Sequence, residues 1–91
     1  VPLNGVYAVQ LFGIDGEPIK GVANVGVRPT VGKTKTLLEV HLFDFNRDIY
    51  SQQVQVHFLY KIRKEQKFAN LDALILQIEQ DCQAAKAYFQ A

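Results

Sequence analysis

Ninety-one residues with ten lysines and arginines against nine aspartates and glutamates leave a net charge of +1, too little field to recruit nucleic acid or an anionic membrane. Hydrophobic residues at 48% and charged residues at 21% suit one soluble globular domain, in which roughly 60–68% of the extended-chain surface is buried. Cys82 is the single cysteine and has no internal disulfide partner, no apolar run approaches the roughly 20 residues of a membrane helix, and no leader opens the chain, so these features read as a cytoplasmic domain.

Val1-Pro2-Leu3-Asn4-Gly5 runs into strand-like sequence without a tail, which reads as the beginning of a fragment. Gly5–Phe12, rich in valine, tyrosine, leucine and phenylalanine, predicts a first strand, and Gly13–Pro18 with Asp15-Gly16 at its centre predicts a turn. Ile19–Val27 continues as a second strand. Arg28–Thr36, with Pro29 and Gly32, reads as a loop, Leu37–Phe45 as a third strand, and Asn46-Arg47-Asp48 as the turn that closes it. In Gln53–Ile62 the residues Val54, Val56, Phe58, Tyr60 and Ile62 alternate with mostly polar neighbours, the period of a half-buried strand.

The period then changes. Leu71, Leu74, Ile75, Ile78, Cys82, Ala85 and Phe89 recur at spacings of three and four, one face of an amphipathic helix. Asn70 is placed to cap its start, Asp72 suits the positive end of the helix dipole, and Lys86 sits near the other end. Strands followed by one helix predict a small antiparallel sheet or barrel with a helix packed on it, an α+β or mainly β arrangement.

The segment Gly21–Thr30 and the strand residue Glu39 carry the chemistry. Two glycines, Pro29 and Arg28 make backbone that a ligand can approach, and Glu39 puts an acid on a rigid element beside it. By strand alternation Glu39 shares a face with Leu37, His41, Phe43 and Phe45, where a carboxylate needs a stabilising partner. Either it pairs with Arg28 or a lysine at a strand edge, or it serves as a general base tuned by that environment. The pattern does not choose between them.

Other motifs point to ordinary structure. Val31-Gly32-Lys33-Thr34 imitates the end of a phosphate-binding loop, but the position five before Gly32 is Val27, and a strand rather than a helix follows. His41 and His57 lack the cysteine, histidine or carboxylate spacing of a metal site; His57 is expected exposed, His41 structural, and Cys82 a core filler. Lys61, Arg63, Lys64 and Lys67 form a basic cluster of solvated surface, from which the planar fork of Arg63 could reach an anionic or polar ligand.

In order along the chain, Gly5-Val6-Tyr7-Ala8-Val9, Gly21–Thr30, Leu38–Phe45, Ile62–Phe68 and Leu71-Asp72-Ala73-Leu74 with Gln77, Ile78 and Asp81 closely resemble the riboflavin kinase module of bacterial bifunctional FAD synthetases. The resemblance implies a six-stranded antiparallel barrel of Greek-key type, incomplete here, with a C-terminal helix over about residues 70–90. It implies transfer of the γ-phosphoryl group of ATP to the riboflavin 5′-hydroxyl, giving FMN and ADP, with Mg²⁺ as cofactor. On the matching positions, Glu39 becomes the catalytic base, Asn24, Arg28 and Arg63 the flavin contacts, and Tyr50 a nucleotide contact. The Asn24–Thr36 region becomes a mobile flap over the ligands.

Two features depart from the family pattern. A glycine usually follows the tyrosine, where this chain has Ser51, and the Pro-Thr-Ala-Asn motif that holds Mg²⁺ and phosphates precedes the Gly-Val-Tyr strand; Pro29-Thr30 does not replace it. The expectation is therefore a partial kinase module, inactive alone, or alternatively a flavin- or nucleotide-binding barrel without catalysis. An open barrel edge beside Gly5–Phe12 or an adjacent strand is expected to favour self-association.

Overall fold

A computed structural model describes residues 3–91; Val1 and Pro2, with which the opening segment begins, lie outside the described residues. Four strands and one helix follow one another: β1 (Gly5–Phe12), β2 (Ile19–Thr30), β3 (Lys33–Leu42), β4 (Gln55–Arg63) and α1 (Leu71–Gln90). The strands form an antiparallel sheet in the order β3-β2-β1-β4. Among the described residues the architecture is mainly β, four antiparallel strands in an unclosed sheet with one C-terminal helix, where the resemblance implied an incomplete six-stranded barrel.

β1 lies in the middle of the sheet, paired on one side with β2 and on the other with β4. Its near-continuous apolar sequence follows from burial on both faces. Val6 and Ala8 pack with Val22 and Ala85 beneath α1, whereas Tyr7 and Val9 pack with Ala23 and Val25 on the opposite face. The open edges therefore belong to β3 and to β4, the neighbour of β1, and not to Gly5–Phe12 itself.

The β2–β3 region departs furthest from the sequence reading. Arg28–Thr36 is not a loop: β2 and β3 form one long hairpin whose register runs from Gly21 opposite Leu42 to Thr30 opposite Lys33. Its turn is Val31-Gly32 alone, with Gly32 at φ 76°, a left-handed conformation that glycine adopts without a Cβ penalty. Pro29 is tolerated because β1 has ended by this point, its pairing with β2 reaching only Val25, so a missing N–H on that side loses no ladder bond. β3 also stops at Leu42, and Phe43–Val54 becomes the connection to β4.

The strict alternation read into β4 breaks as well. Its register against β1 slips between Ala8 and Val9, and again between Val6 and Tyr7. Before the first bulge, Val56 and Phe58 pack on the face away from the helix. Beyond it, Tyr60 stacks on Tyr88 of α1 with ring centroids 5.1 Å apart, and Ile62 packs on the helix-facing cluster. A bulge flips the side-chain phase, so one apolar series serves both faces.

α1 begins as its sequence suggests, with the Asn70 side chain accepting a hydrogen bond from the Ala73 backbone N–H at 2.8 Å. Its C-terminal half docks through Cys82, Ala85 and Phe89. Burial pushes the Cys82 thiol up, in keeping with a core filler, although Lys86 works against the shift. Lys86 does not sit in the last helical turn and instead lies over the Phe43 ring at 5.0 Å. The N-terminal half stands away from the sheet, leaving Leu71, Ile75 and Ile78 exposed.

In the β3–β4 connection, Ser51 has φ 64° and follows a turn in which the Asp48 carboxylate accepts from the Tyr50 N–H at 2.8 Å. A side chain in this region costs about 1 kcal/mol that glycine does not pay. Ser51→Gly is therefore expected to stabilise the domain by about 0.5–1 kcal/mol, read as a higher urea midpoint at unchanged m.

Candidate active site

The gap between α1 and the sheet is a cleft of about 600 Å³, with Asn24, Arg28, Glu39, Arg63, Glu65 and Asp81 among its walls. Strand register explains the convergence. Glu39 stands opposite Asn24, Asn24 opposite Val6, and Val6 opposite Arg63, so one row across the sheet carries three of the sequence-predicted site residues. Side-chain alternation puts Arg28, four residues beyond Asn24 on β2, on the same face.

Arg63 ends β4 and is the anchor of this arrangement. Its Nε and Nη2 donate to the two carboxylate oxygens of Asp81, each at 2.8 Å, while Gln77 Nε2 donates to the same carboxylate at 3.0 Å. Nη1 donates to the Lys64 carbonyl at 3.0 Å, and the guanidinium lies over Phe68 at 5.6 Å. Only 17% of the Arg63 side chain and 5% of that of Asp81 are exposed. Arg63 is thus not part of a solvated basic cluster: it ties the end of the sheet to α1 and sets the cleft's width.

Glu39 stands where the first of its two sequence alternatives put it, beside Arg28 at a strand edge. The apolar face expected around it is open, because β3 is an edge strand, and its side chain is 61% exposed, with Arg28 Nη2 at 3.8 Å. Solvent and a nearby cation meet its charge without a burial penalty. Arg28 is bound more firmly elsewhere: its Nη1 donates to Glu65 Oε2 at 2.9 Å. That hydrogen bond, then the Glu65 charge, raises the Arg28 pKa further above its ordinary value, and Glu39 adds a smaller push in the same direction.

Asn24 contributes a different feature. Its Oδ1 is buried and accepts no hydrogen bond from the protein. An unsatisfied buried amide oxygen lining a cleft is an acceptor available to an N–H or O–H of a ligand. His41 also lines the cleft and packs edge-on to Phe43 at 5.9 Å, a supporting position. His57 is exposed, as expected. Tyr50 is not brought to this cleft: it is 87% exposed in the Phe43–Val54 connection, at the opposite end of the strands.

Two participants escaped the sequence reading. Asp81 falls on the helical stripe of α1 that leads into the buried Ala85, four residues on, and an acid at that spacing was the available signal for a buried partner. Glu65 lies 37 positions from Arg28, and no local pattern joins them. Gly26 makes their meeting possible, because a Cβ there would overlap Glu65 Oε2 and Arg28 Nη1. The glycine suited to ligand approach in fact admits an ion pair.

Among the described residues no group of three histidines, cysteines or carboxylates is placed to hold a metal ion. Glu39, the carboxylate facing Asn24, has the Arg28 cation beside it. These residues do not make up a holder for Mg²⁺, and no step is derived through it.

An open antiparallel sheet, a single covering helix and the cleft between them, with the exposed Glu39 carboxylate at its wall, define a small mainly β domain with one candidate ligand cleft. Residues 1–89 match the riboflavin kinase (Flavokinase) family, and the chain belongs to that family. It is 52% identical over 90 residues to the bifunctional riboflavin kinase/FMN adenylyltransferase of Haemophilus influenzae, covering 99% of this chain and 29% of that protein. It is 53% identical over 88 residues to the protein of the same name from Pseudomonas fluorescens, covering 96% of this chain and 28% of the relative. The chain thus spans less than a third of these relatives. A crystal structure described as a macrolide-efflux protein of Streptococcus pneumoniae superposes with a TM-score of 0.77 at 38% identity, over 88% of this chain and 26% of that one. No helix among the described residues is long and apolar enough to cross a membrane.

Removing one member of the Arg63–Asp81 pair strands a poorly solvated charge. Asp81→Ala is expected to lower the unfolding free energy by about 3 kcal/mol, measured by urea denaturation.

Proposed function

We propose that this chain supplies the riboflavin side of a riboflavin kinase site, in which the γ-phosphoryl group of ATP passes to the riboflavin 5′-hydroxyl to give FMN and ADP. The observation that carries this reading is the cross-strand pair of Glu39 and Asn24 on the rim of the cleft, one a solvent-reachable carboxylate and the other an unsatisfied acceptor. It is supported by membership in the riboflavin kinase family over residues 1–89.

Phosphoryl transfer asks the protein mainly for alignment and a base. The 5′-hydroxyl oxygen forms a bond to the γ-phosphorus while the bond to the bridging oxygen breaks and ADP leaves. Glu39 takes the hydroxyl proton. Asn24 Oδ1 accepts a hydrogen bond from the flavin or its ribityl chain, and Arg28 and Arg63 face its polar edge. Leu74 and Ile78 of α1 give the cleft an apolar wall for a flat ring system. Tyr50, at the far end of the sheet, is assigned to the nucleotide, and the Mg²⁺ and phosphate grip to residues other than those described here. The β2–β3 hairpin is read as a flap, its outer half exposed on both strands.

On this reading the open sheet forms part of a six-stranded Greek-key barrel, and the free edges of β3 and β4 are where further strands, or a second copy of the chain, pair. The domain is assigned to the cytoplasm.

In the full-length protein that carries this chain, Glu39→Gln is expected to lower kcat for ATP-dependent FMN formation by about a hundredfold or more, with the riboflavin KM changed only a few-fold. Turnover at the normal rate would remove Glu39 from the mechanism.

A further inference from the structure

Arg28 stands between two carboxylates and is shared unequally. Its Nη1 is in hydrogen-bond contact with Glu65 at 2.9 Å, whereas its Nη2 stays 3.8 Å from Glu39, outside hydrogen-bond range. The guanidinium owes its charge stabilisation first to Glu65 and only last to Glu39. Two features build the asymmetry. Gly26, on the same face between Asn24 and Arg28, leaves open the space in which Glu65 and Arg28 meet. The Arg63–Asp81 pair fixes the start of the segment that carries Glu65, so Glu65 is delivered to Arg28 from the opposite wall of the cleft.

We propose that Glu65 is a positioning residue for Glu39: it draws the Arg28 guanidinium onto itself and so leaves the Glu39 carboxylate free to take a proton. The inference rests on Glu39 acting as the base. A carboxylate clasped by a guanidinium at 2.7–2.9 Å is a poorer proton acceptor and has a lone pair occupied. With Glu65 neutral, Glu39 is the remaining anion within reach of Arg28, and only about 1 Å of side-chain movement separates the two arrangements. The hydroxyl proton then meets a base already engaged.

The test uses the full-length protein carrying this chain, with riboflavin and ATP as substrates, and four variants. Glu65→Gln is expected to lower kcat about tenfold, and its crystal structure to show Arg28 Nη2 closing on Glu39 from 3.8 Å to hydrogen-bond distance. Glu65→Asp keeps the charge and is expected to retain most of kcat. Gly26→Ala evicts the ion pair by contact alone and is expected to lower kcat as Glu65→Gln does. Removing both charges, in Glu65→Gln with Arg28→Gln, is expected to raise kcat above that of Glu65→Gln even where the riboflavin KM rises, because no cation remains to occupy Glu39. A merely structural ion pair would leave the double variant no faster than Glu65→Gln. That result overturns the proposal, as does a Glu65→Gln protein with normal kcat and Arg28 still apart from Glu39. If Glu65→Gln is normal while Glu39→Gln is inactive, the base assignment stands and only the role of Glu65 fails; an active Glu39→Gln removes both.

Discussion

The two parallel hydrogen bonds between Arg63 and Asp81 set the distance and angle at which α1 crosses the sheet, and the cleft is what remains between them. Exchanging a buried ion pair for apolar residues is often neutral or stabilising, so its value lies in geometry rather than in net free energy. A planar fork meeting a carboxylate has one good orientation, whereas aliphatic side chains would let the helix slide. The apolar contacts of Cys82, Ala85 and Phe89 hold the other end of the helix. Between these two attachments Leu74 and Ile78 are kept at the cleft wall instead of collapsing onto Val6 and Val22.

The same anchor governs the charges around the cleft. Because Arg63 ends β4 in a fixed position, the chain immediately after it must run along the cleft, and Glu65 arrives beside the β2–β3 hairpin. Arg28 is thereby held above the backbone of Gly26, near Glu39 but not on it. The buried Arg63–Asp81 pair is shielded from salt, whereas the more exposed Arg28–Glu65 and Arg28–Glu39 contacts are screened to a greater degree. The first is a fixed frame, and the second pair of contacts is adjustable.

Much of the candidate site is legible in the sequence. Asn24, Arg28, Glu39 and Arg63 were all picked out, and all four line one cleft. What misled the reading was local composition. Pro29 and Gly32 made a loop of Arg28–Thr36, although proline on the unpaired side of a strand and glycine in a two-residue turn are compatible with an unbroken hairpin. The apolar neighbours of Glu39 left two readings open, a carboxylate paired at a strand edge or a tuned base, and that β3 is an edge strand with Arg28 beside Glu39 depends on pairing that no local window contains. The regular alternation in β4 concealed two bulges, since a bulge is set by the partner strand's register and leaves no mark in period-two sequence.

By itself the sequence determined the number, order and type of elements, the cap at Asn70 and the family. These depend on neighbours within a few positions or on recognisable strings of residues, and both are written along the chain. Only the tertiary structure decided that β1 is central, that Asp81 is the partner of Arg63 and Glu65 that of Arg28, and that Glu39 stands free at an open edge. Those outcomes join residues 18 and 37 positions apart. They are selected by which arrangement buries the most apolar surface while leaving each charge a partner or water, a condition on the whole chain and not on any part of it.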